Sequence, residues 1–466
     1  MHTYTSLVRH AGNEELFLFA ELSILGLAKG WPVHVHVEGL RGTGKTTILR
    51  AARAILPPLT RIRGCPYNCD PLAPHCPLHA GLSREEIAAL GTETIPAPFL
   101  EISHAAKIGT VVGTLDLKRL TDANHPEAAL LPGTLPQAHR GVVFVDEINR
   151  LADTAPELTD ILLDVMGTKP GRVQIEENGL PPVAVPLQVS VWATSNPDED
   201  PGPLADIRRQ LSDRFDFVVQ MGRPGRPEEI LAILNAGLTT SSPWRTEGQD
   251  RERTRWLTGR AARLDRLALE GGILAQLADL YLRHHLESLR AVEALKLGAL
   301  LHAAWRGAGA VEACDVAAVA AAALRHRTRA EDLRAVLAYL EQPSASEGIE
   351  AAGVLAEKGR ATRAAPMQSR PQAAEALRRT WKQGPRWWRS LQDRWRQLLG
   401  ARGAGRGSGG GGQGGGPRGE GGGRFPNPLD LPLVAPPRPA RPLTELETEE
   451  AVTVIEGKAG STNDTE

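Results

Sequence analysis

The sequence predicts an α/β fold of the P-loop type, a parallel sheet with helices on both faces, followed by a smaller helical domain and a disordered tail. Three observations point to it. Short apolar strands alternate with helical stretches from about residue 1 to 225, the pattern of strands joined by helical crossovers. The first clear strand runs into a glycine loop, Gly39-Leu40-Arg41-Gly42-Thr43-Gly44-Lys45-Thr46, and out again into a helix. From about 226 to 340 the alternation gives way to helical periodicity, ending in the alanine-rich run 311–326.

The glycine loop reads G-x-x-x-x-G-K-T. The stretch 32–38 (PVHVHVE) alternates as a short buried strand, and 46–56 (TTILRAARAIL) reads as a helix. Gly39, Gly42 and Gly44 leave the backbone free to curl its N–H groups around phosphate oxygens, where the helix start adds partial positive charge. Lys45 is expected to reach the β- and γ-phosphates and Thr46 to ligate the Mg²⁺ of MgATP, with Thr47 beside it as a further nucleotide contact. The core strands are expected at 33–37, 99–102, 142–145 and 189–194. The third ends in Asp146 and Glu147, a Walker B pattern. Asp146 would complete the Mg²⁺ shell and Glu147 would polarise the attacking water. The fourth leads to Asn196, between the two Walker strands and able to orient that water. Of Arg208, Arg209 and Arg214, one is expected to reach the γ-phosphate of a neighbouring subunit, as an arginine finger.

At 466 residues the chain has room for two or three domains, and its formal net charge of −1 provides no global field for nucleic acid or a membrane surface. No apolar run approaches the length of a membrane span, and the N-terminus lacks the pattern of a signal peptide, so a cytoplasmic protein is expected. Three of the four cysteines crowd into one short segment. Cys65-x₃-Cys69-x₆-Cys76-x₂-His79, with His75 to spare, offers three thiolates and an imidazole, which suit tetrahedral zinc. An iron–sulfur cluster and a redox-active thiol pair are the rival readings. Pro66, Pro71, Pro74 and Pro77 stiffen this insert (64–80), which falls between the P-loop helix and the next strand, where no core is expected.

Past residue 340 the character changes. Residues 341–400 read as helical and rich in arginine and tryptophan (Trp381, Trp387, Trp388, Trp395), an amphipathic stretch suited to docking on its own or a partner domain, with contact to a membrane face or nucleic acid as the rival readings. Residues 401–466 are glycine-rich, then proline-rich, then acidic, and are expected to be disordered. Trp192 and His104 read as packing or surface residues.

Together the segments GCPYNCDP (64–71), VGTLD (112–116), LPGTL (131–135), VDEINR (145–150), LSDRF (211–215) and SLR (288–290) resemble the AAA+ ATPase subunit, subunit I, of magnesium chelatase, over residues 1 to about 330. The resemblance implies an AAA+ body at 1–225 and a lid at 226–340. It selects Arg214 as the arginine finger and makes Arg290, opening a helix after Ser288, the sensor 2 arginine that swings with the lid onto the phosphates. It puts an inserted element at 113–135 and a β-hairpin before sensor 1 at 171–187, where Glu177-Asn178-Gly179 reads independently as the turn. It further implies ATP hydrolysis in a homo-oligomeric ring, a hexamer, coupled to chelatase subunits or a von Willebrand A domain protein on a separate chain. The alternatives are a MoxR-type ATPase that matures another protein and, in a different class, a nucleotide-dependent scaffold that does not hydrolyse ATP. Glu147, Asn196 and the arginines speak against the scaffold.

Overall fold

The computed structural model describes residues 3–116, 130–176, 182–238 and 243–341. The Arg/Trp-rich segment beyond residue 341, the tail and the turn Glu177-Asn178-Gly179 lie outside the described residues. In chain order the strands are β1 (Val35–Gly39), β2 (Leu59–Ile62), β3 (Thr92–Ile95), β4 (Phe99–Ile102), β5 (Gly113–Leu115), β6 (Leu130–Pro132), β7 (Val142–Val145), β8 (Gly171–Ile175), β9 (Val183–Leu187), β10 (Ser190–Ser195) and β11 (Phe217–Met221). Five of them form one parallel sheet in the order β11-β1-β10-β7-β4. The pairs β2–β3, β5–β6 and β8–β9 are separate antiparallel ribbons, the last being the expected hairpin.

Burial on both faces explains why β7 (VVFV) is continuously apolar rather than alternating. All four residues of β7 and all six of β10 are buried. Side chains still alternate in direction. Val142, Phe144, Trp192, Phe217 and Val219 join one core, and Val143, Val145, Val191, Ala193 and Val218 join the other. Trp192 is a packing residue whose Nε1 donates to Ser23 Oγ (2.8 Å), whereas His104 is exposed.

Two boundaries differ from the sequence reading. The first strand begins at Val35, not residue 33, because the His34 amide donates to the Asp216 carboxylate (2.8 Å) instead of a neighbouring strand. The P-loop helix stops at Ala52 and tightens into a 3₁₀ turn at Arg53–Ile55. Pro57 then disfavours helical backbone at Leu56, so the chain leaves extended into β2.

The helices are α1 (Glu14–Ala28), α2 (Lys45–Ala52), α3 (Arg84–Leu90), α4 (Ile108–Val112), α5 (Thr134–Gln137), α6 (Ile148–Thr154), α7 (Pro156–Gly167), α8 (Leu204–Ile207), α9 (Arg209–Ser212), α10 (Pro227–Leu238), α11 (Pro243–Ala261), α12 (Gly271–Arg283), α13 (Leu289–Arg306), α14 (Ala313–Leu324) and α15 (Ala330–Glu341). Buried residues of α1, α2 and α11–α15 share the first core with the sheet, and those of α5–α7 share the second. Small residues let α13 come close. A Cβ on Gly298 would lie 2.9 Å from Val319 and 3.0 Å from the Phe217 ring.

Glu21 ties these layers together from a fully buried position. Its carboxylate accepts from Trp305 Nε1 (2.8 Å), Arg9 Nη2 (3.0 Å), Arg253 Nε (3.1 Å) and Tyr4 Oη (3.2 Å), which joins α1 to α11 and α13. Burial pushes this carboxyl's pKa up, but the bonds and charge of Arg253, with Trp305 and Arg9, outweigh it and bring it below its ordinary value. Removing one partner from such a buried network leaves the others uncompensated. Glu21→Ala is therefore expected to lose about 3–5 kcal/mol of stability in urea denaturation, and a loss under about 1 kcal/mol would reduce Glu21 to an ordinary surface pair. Because the folded pKa is lowered, this contribution is complete above the ordinary carboxylate pKa and disappears as pH falls through the lowered value.

Candidate active site

Parallel strands deliver their C-terminal ends to one edge of the sheet, and the loops leaving that edge build the site. The register aligns β1 with β10 (Val37 beside Thr194) and β10 with β7 (Ala193 beside Val145). Gly39, Asp146 and Asn196 thus leave the same edge. The loop after β1 has Gly42 at φ 76° and Gly44 at φ 95°, a left-handed backbone that favours glycine. A Cβ on Gly39 would come within 2.7 Å of the Met221 carbonyl oxygen.

Lys45 is buried, and its Nζ donates to the carbonyls of Gly39 (2.5 Å) and Leu40 (2.8 Å) and to Asn196 Oδ1 (2.7 Å). Burial lowers its pKa, opposed by the carboxylates of Asp146, Glu199 and Glu147. Thr46 Oγ1 donates to Asp146 Oδ1 (3.0 Å), and Thr194 Oγ1 donates to the same oxygen. A threonine hydroxyl and a carboxylate side by side are hard oxygen donors of the kind Mg²⁺ takes when it accompanies phosphates. Glu147 adopts a left-handed backbone, φ 50°, uncommon for a residue with a side chain. Its amide donates to Thr194 Oγ1 (3.2 Å), its Oε1 accepts from Asn196 Nδ2 (3.3 Å), and its Oε2 pairs with Arg150 (3.3 Å). Gly42, Gly44, Lys45, Thr46, Thr47, Asp146, Glu147 and Asn196 line one open cleft.

Several residues of this site were not singled out from the sequence. Thr194 bridges Asp146 and the Glu147 amide, and Arg150 holds Glu147 while approaching Glu199 (3.6 Å). Arg50 spans Glu101 (2.9 Å) and Asp146 (3.6 Å). The Glu147–Arg150 spacing of three on a helix was a readable signal, whereas the Arg50–Glu101 pair joins segments 51 residues apart. A second cleft adjoins the first. Gly39 and Leu40 line it with Ala11, Gly12, Glu38 and Met221, and Gly222 N donates to Gly12 O (2.7 Å).

The predicted arginines lie apart from the cleft around Lys45. Arg214 Nη1 (3.2 Å) and Arg290 Nη2 (3.3 Å) both donate to the Gly167 carbonyl at the end of α7. Arg290, expected over the phosphates, does not line that cleft. Ser288 caps α13 by accepting from the Arg290 amide (3.2 Å), and the guanidinium sits 3.6 Å from Asp213. Burial and the neighbouring positive charge of Arg290 lower the pKa of Arg214. Arg208 is paired with Asp160, and the exposed Arg209 with Glu287 (3.1 Å).

Cys65, Cys69, Cys76 and His79 converge, with their donor atoms all within 4.8 Å of one another. The expectation that no core is available there is overturned. The three cysteines are buried with Ile62, Tyr67, Ile87 and Leu135 in the core that also takes Val143 and Val145 of β7.

The family described as AAA lid domain matches residues 274–344. The magnesium-chelatase 38 kDa subunit of Acidiphilium rubrum is 33% identical over 310 residues, covering 64% of this chain and 85% of that protein. The magnesium-chelatase subunit ChlI of Nephroselmis olivacea is 28% identical over 342 residues, covering 72% and 90%. A chain from a cryo-EM-based structure of the complex between subunits BchI and BchD of magnesium chelatase is 26% identical, with a TM-score of 0.38, covering 72% of this chain and 99% of that one.

Proposed function

This chain belongs to the family of magnesium-chelatase AAA+ ATPase subunits, and we propose that it hydrolyses ATP at the seams of a homo-oligomeric ring, a hexamer, to drive metal insertion into a tetrapyrrole by partner subunits. The supporting observation is the bridge made by Asn196, which binds Lys45 through one amide atom (2.7 Å) and Glu147 through the other (3.3 Å). A phosphate-binding cation, a water-orienting amide and a basic carboxylate are thereby joined in one hydrogen-bonded line.

In this reading the amides after Gly42 and Gly44 cradle the phosphates, and the Lys45 ammonium neutralises the charge that builds on the β–γ bridge. Thr46 and Asp146 would hold Mg²⁺, which offsets phosphate charge when bound. Glu147 accepts a proton from the attacking water as Asn196 orients it. The cleft beside Gly39 takes the nucleoside end, closed by Gly12 and Met221. Residues 1–225 act as the ATPase body and 226–340 as the lid. Arg214 and Arg290 together meet the phosphates of the adjacent subunit.

The partners are chelatase subunits or a von Willebrand A domain protein, in the cytoplasm. The relatives' names support the first. Purified chain plus cognate chelatase subunits, ATP and Mg²⁺ is expected to convert protoporphyrin to its magnesium form, read by fluorescence. ATP turnover without metal insertion by any chelatase subunit would favour the maturation reading, and no turnover at ring-forming concentration would favour the scaffold. Lys45→Ala removes the only ammonium among the residues lining the cleft and is expected to weaken binding of a fluorescent ATP analogue at least ~100-fold. Retained binding would overturn the assignment of this cleft.

A further inference from the structure

We propose that Cys65, Cys69, Cys76 and His79 bind a single structural zinc ion that fastens the loop between β2 and α3 to the base of the sheet. This site lies outside the ATPase cleft and is independent of the reading given to it.

The geometry suits one ion. Zinc with Zn–S bonds of about 2.3 Å and a Zn–N bond of about 2.0 Å places its tetrahedral donors roughly 3.5–4 Å apart. Here the four donor atoms lie within 4.8 Å of one another, and Cys76 Sγ is 3.2 Å from His79 Nδ1. Closing around an ion needs only a small contraction of the widest pairs and a slight opening of the Cys76–His79 pair. An iron–sulfur cluster would hold its ligands further apart and normally draws on four thiolates where three are present. Three thiols also leave one over from any disulfide.

The surroundings favour thiolates. The amides of His75 and Cys76 both point at Cys69 Sγ (3.4 Å each), and His75 Nδ1 lies 3.3 Å from the same sulfur. Two backbone N–H donors toward one sulfur, joined by a third in the His75 tautomer that carries its proton on Nδ1, would be poorly used on a thiol and well used on a zinc-bound thiolate. On binding, the three thiol protons pass to solvent and the imidazole ligates in its neutral form.

Little regular structure fixes the loop. Between β2 and α3 its backbone makes the isolated bridge of Asp70 with Ala73, a few turns, and bonds from the Ile62 amide to the Cys69 carbonyl (3.1 Å), the Arg63 amide to the Gly91 carbonyl (3.1 Å) and the Gly64 amide to the Glu93 carboxylate (2.9 Å). Its contacts lead to the sheet. The His75 ring stacks on His139 at 3.8 Å, and His139 Nδ1 accepts from the Gln188 amide (3.1 Å). Gln188 lies between β9 of the hairpin and β10, the strand that leads to Asn196. Asn68 Nδ2 donates to the Gln137 carbonyl (2.6 Å), and Arg61 holds Asn68 and the Cys65 carbonyl. His75 is thus a positioning residue, joining a thiolate on one side to the hairpin base on the other.

The test is elemental analysis of the full-length chain, purified without a metal-affinity step and gel-filtered with a weak chelator. Stoichiometric zinc is expected, and Co²⁺ exchanged for it should give the visible absorption of a tetrahedral cobalt–thiolate. Cys76→Ser and His79→Ala should each lower zinc content at least ~10-fold, His75→Phe should raise the zinc dissociation constant about 10–100-fold, and Cys314→Ser, at an exposed distant cysteine, should change nothing. Thiol titration of the wild type keeps the proposal testable if the variants fail to fold. Only Cys314 should react rapidly until a strong chelator strips the metal, after which the other three follow. Reduced wild-type protein without metal, iron in place of zinc, or immediate reaction of all four thiols would overturn the site.

Discussion

Arg214→Ala and Arg290→Ala are each expected to lower ATP turnover of the assembled ring by about 10³–10⁵-fold while leaving nucleotide affinity of the separate subunits nearly unchanged. The expectation rests on where the two guanidiniums sit. Both converge on the Gly167 carbonyl, and neither lines the cleft that holds Lys45, Asp146 and Glu147. Two like charges gathered at one carbonyl are poorly compensated. Burial and the Arg290 charge weaken the hold of Arg214 on its proton, with Asp213 and Asp164 only partly offsetting them. Such a pair is suited to receive an anion, and a ring provides one in the neighbour's triphosphate. The decisive measurement mixes two inactive proteins. Arg214→Ala keeps an intact cleft, and Glu147→Gln keeps an intact arginine pair, so mixed rings contain seams with both halves sound. Turnover in the mixture well above the sum of the two variants is expected. A strictly additive result would place Arg214 in its own chain's chemistry and sink the shared seam.

The core of the site was legible in the sequence because each of its parts ends a strand. Gly39, Asp146 and Asn196 stand at the ends of β1, β7 and β10, and parallel strands bring such ends together whatever the connections between them. What escaped reading depends on side chains meeting across separate elements. Thr194 looks like a strand residue until the register sets it one strand from Asp146. The Arg50–Glu101 pair and the cleft joining Ala11 and Gly12 to Met221 link distant segments with no local signature. The start of β1 was misplaced because a side chain, Asp216, captures a backbone amide that apolar alternation assigns to the ladder. The cysteine spacing announced a metal set, but its burial was hidden, since β2 and its partner β3 are short and only part-buried.

Glu147→Gln is expected to keep ATP binding and to reduce turnover by about 10²–10⁴-fold, the range attributable to a general base. Everything around Glu147 aims its carboxylate rather than merely housing it. The left-handed backbone at φ 50° is strained for a side-chain-bearing residue and is held by the Thr194 hydroxyl through the Glu147 amide. Arg150 takes one carboxylate oxygen and Asn196 the other. Glutamine preserves the length and one acceptor, so the backbone and the Asn196–Lys45 bond should survive, and nucleotide affinity with them. Only the capacity to take a proton is lost. Arg150→Ala separates aim from basicity. It leaves the carboxylate basic but frees one oxygen, and its turnover should fall less than that of Glu147→Gln. If Glu147→Gln instead hydrolyses ATP within about threefold of wild type while Arg150→Ala is crippled, the carboxylate is a structural clamp on the arginine and the base must be sought elsewhere.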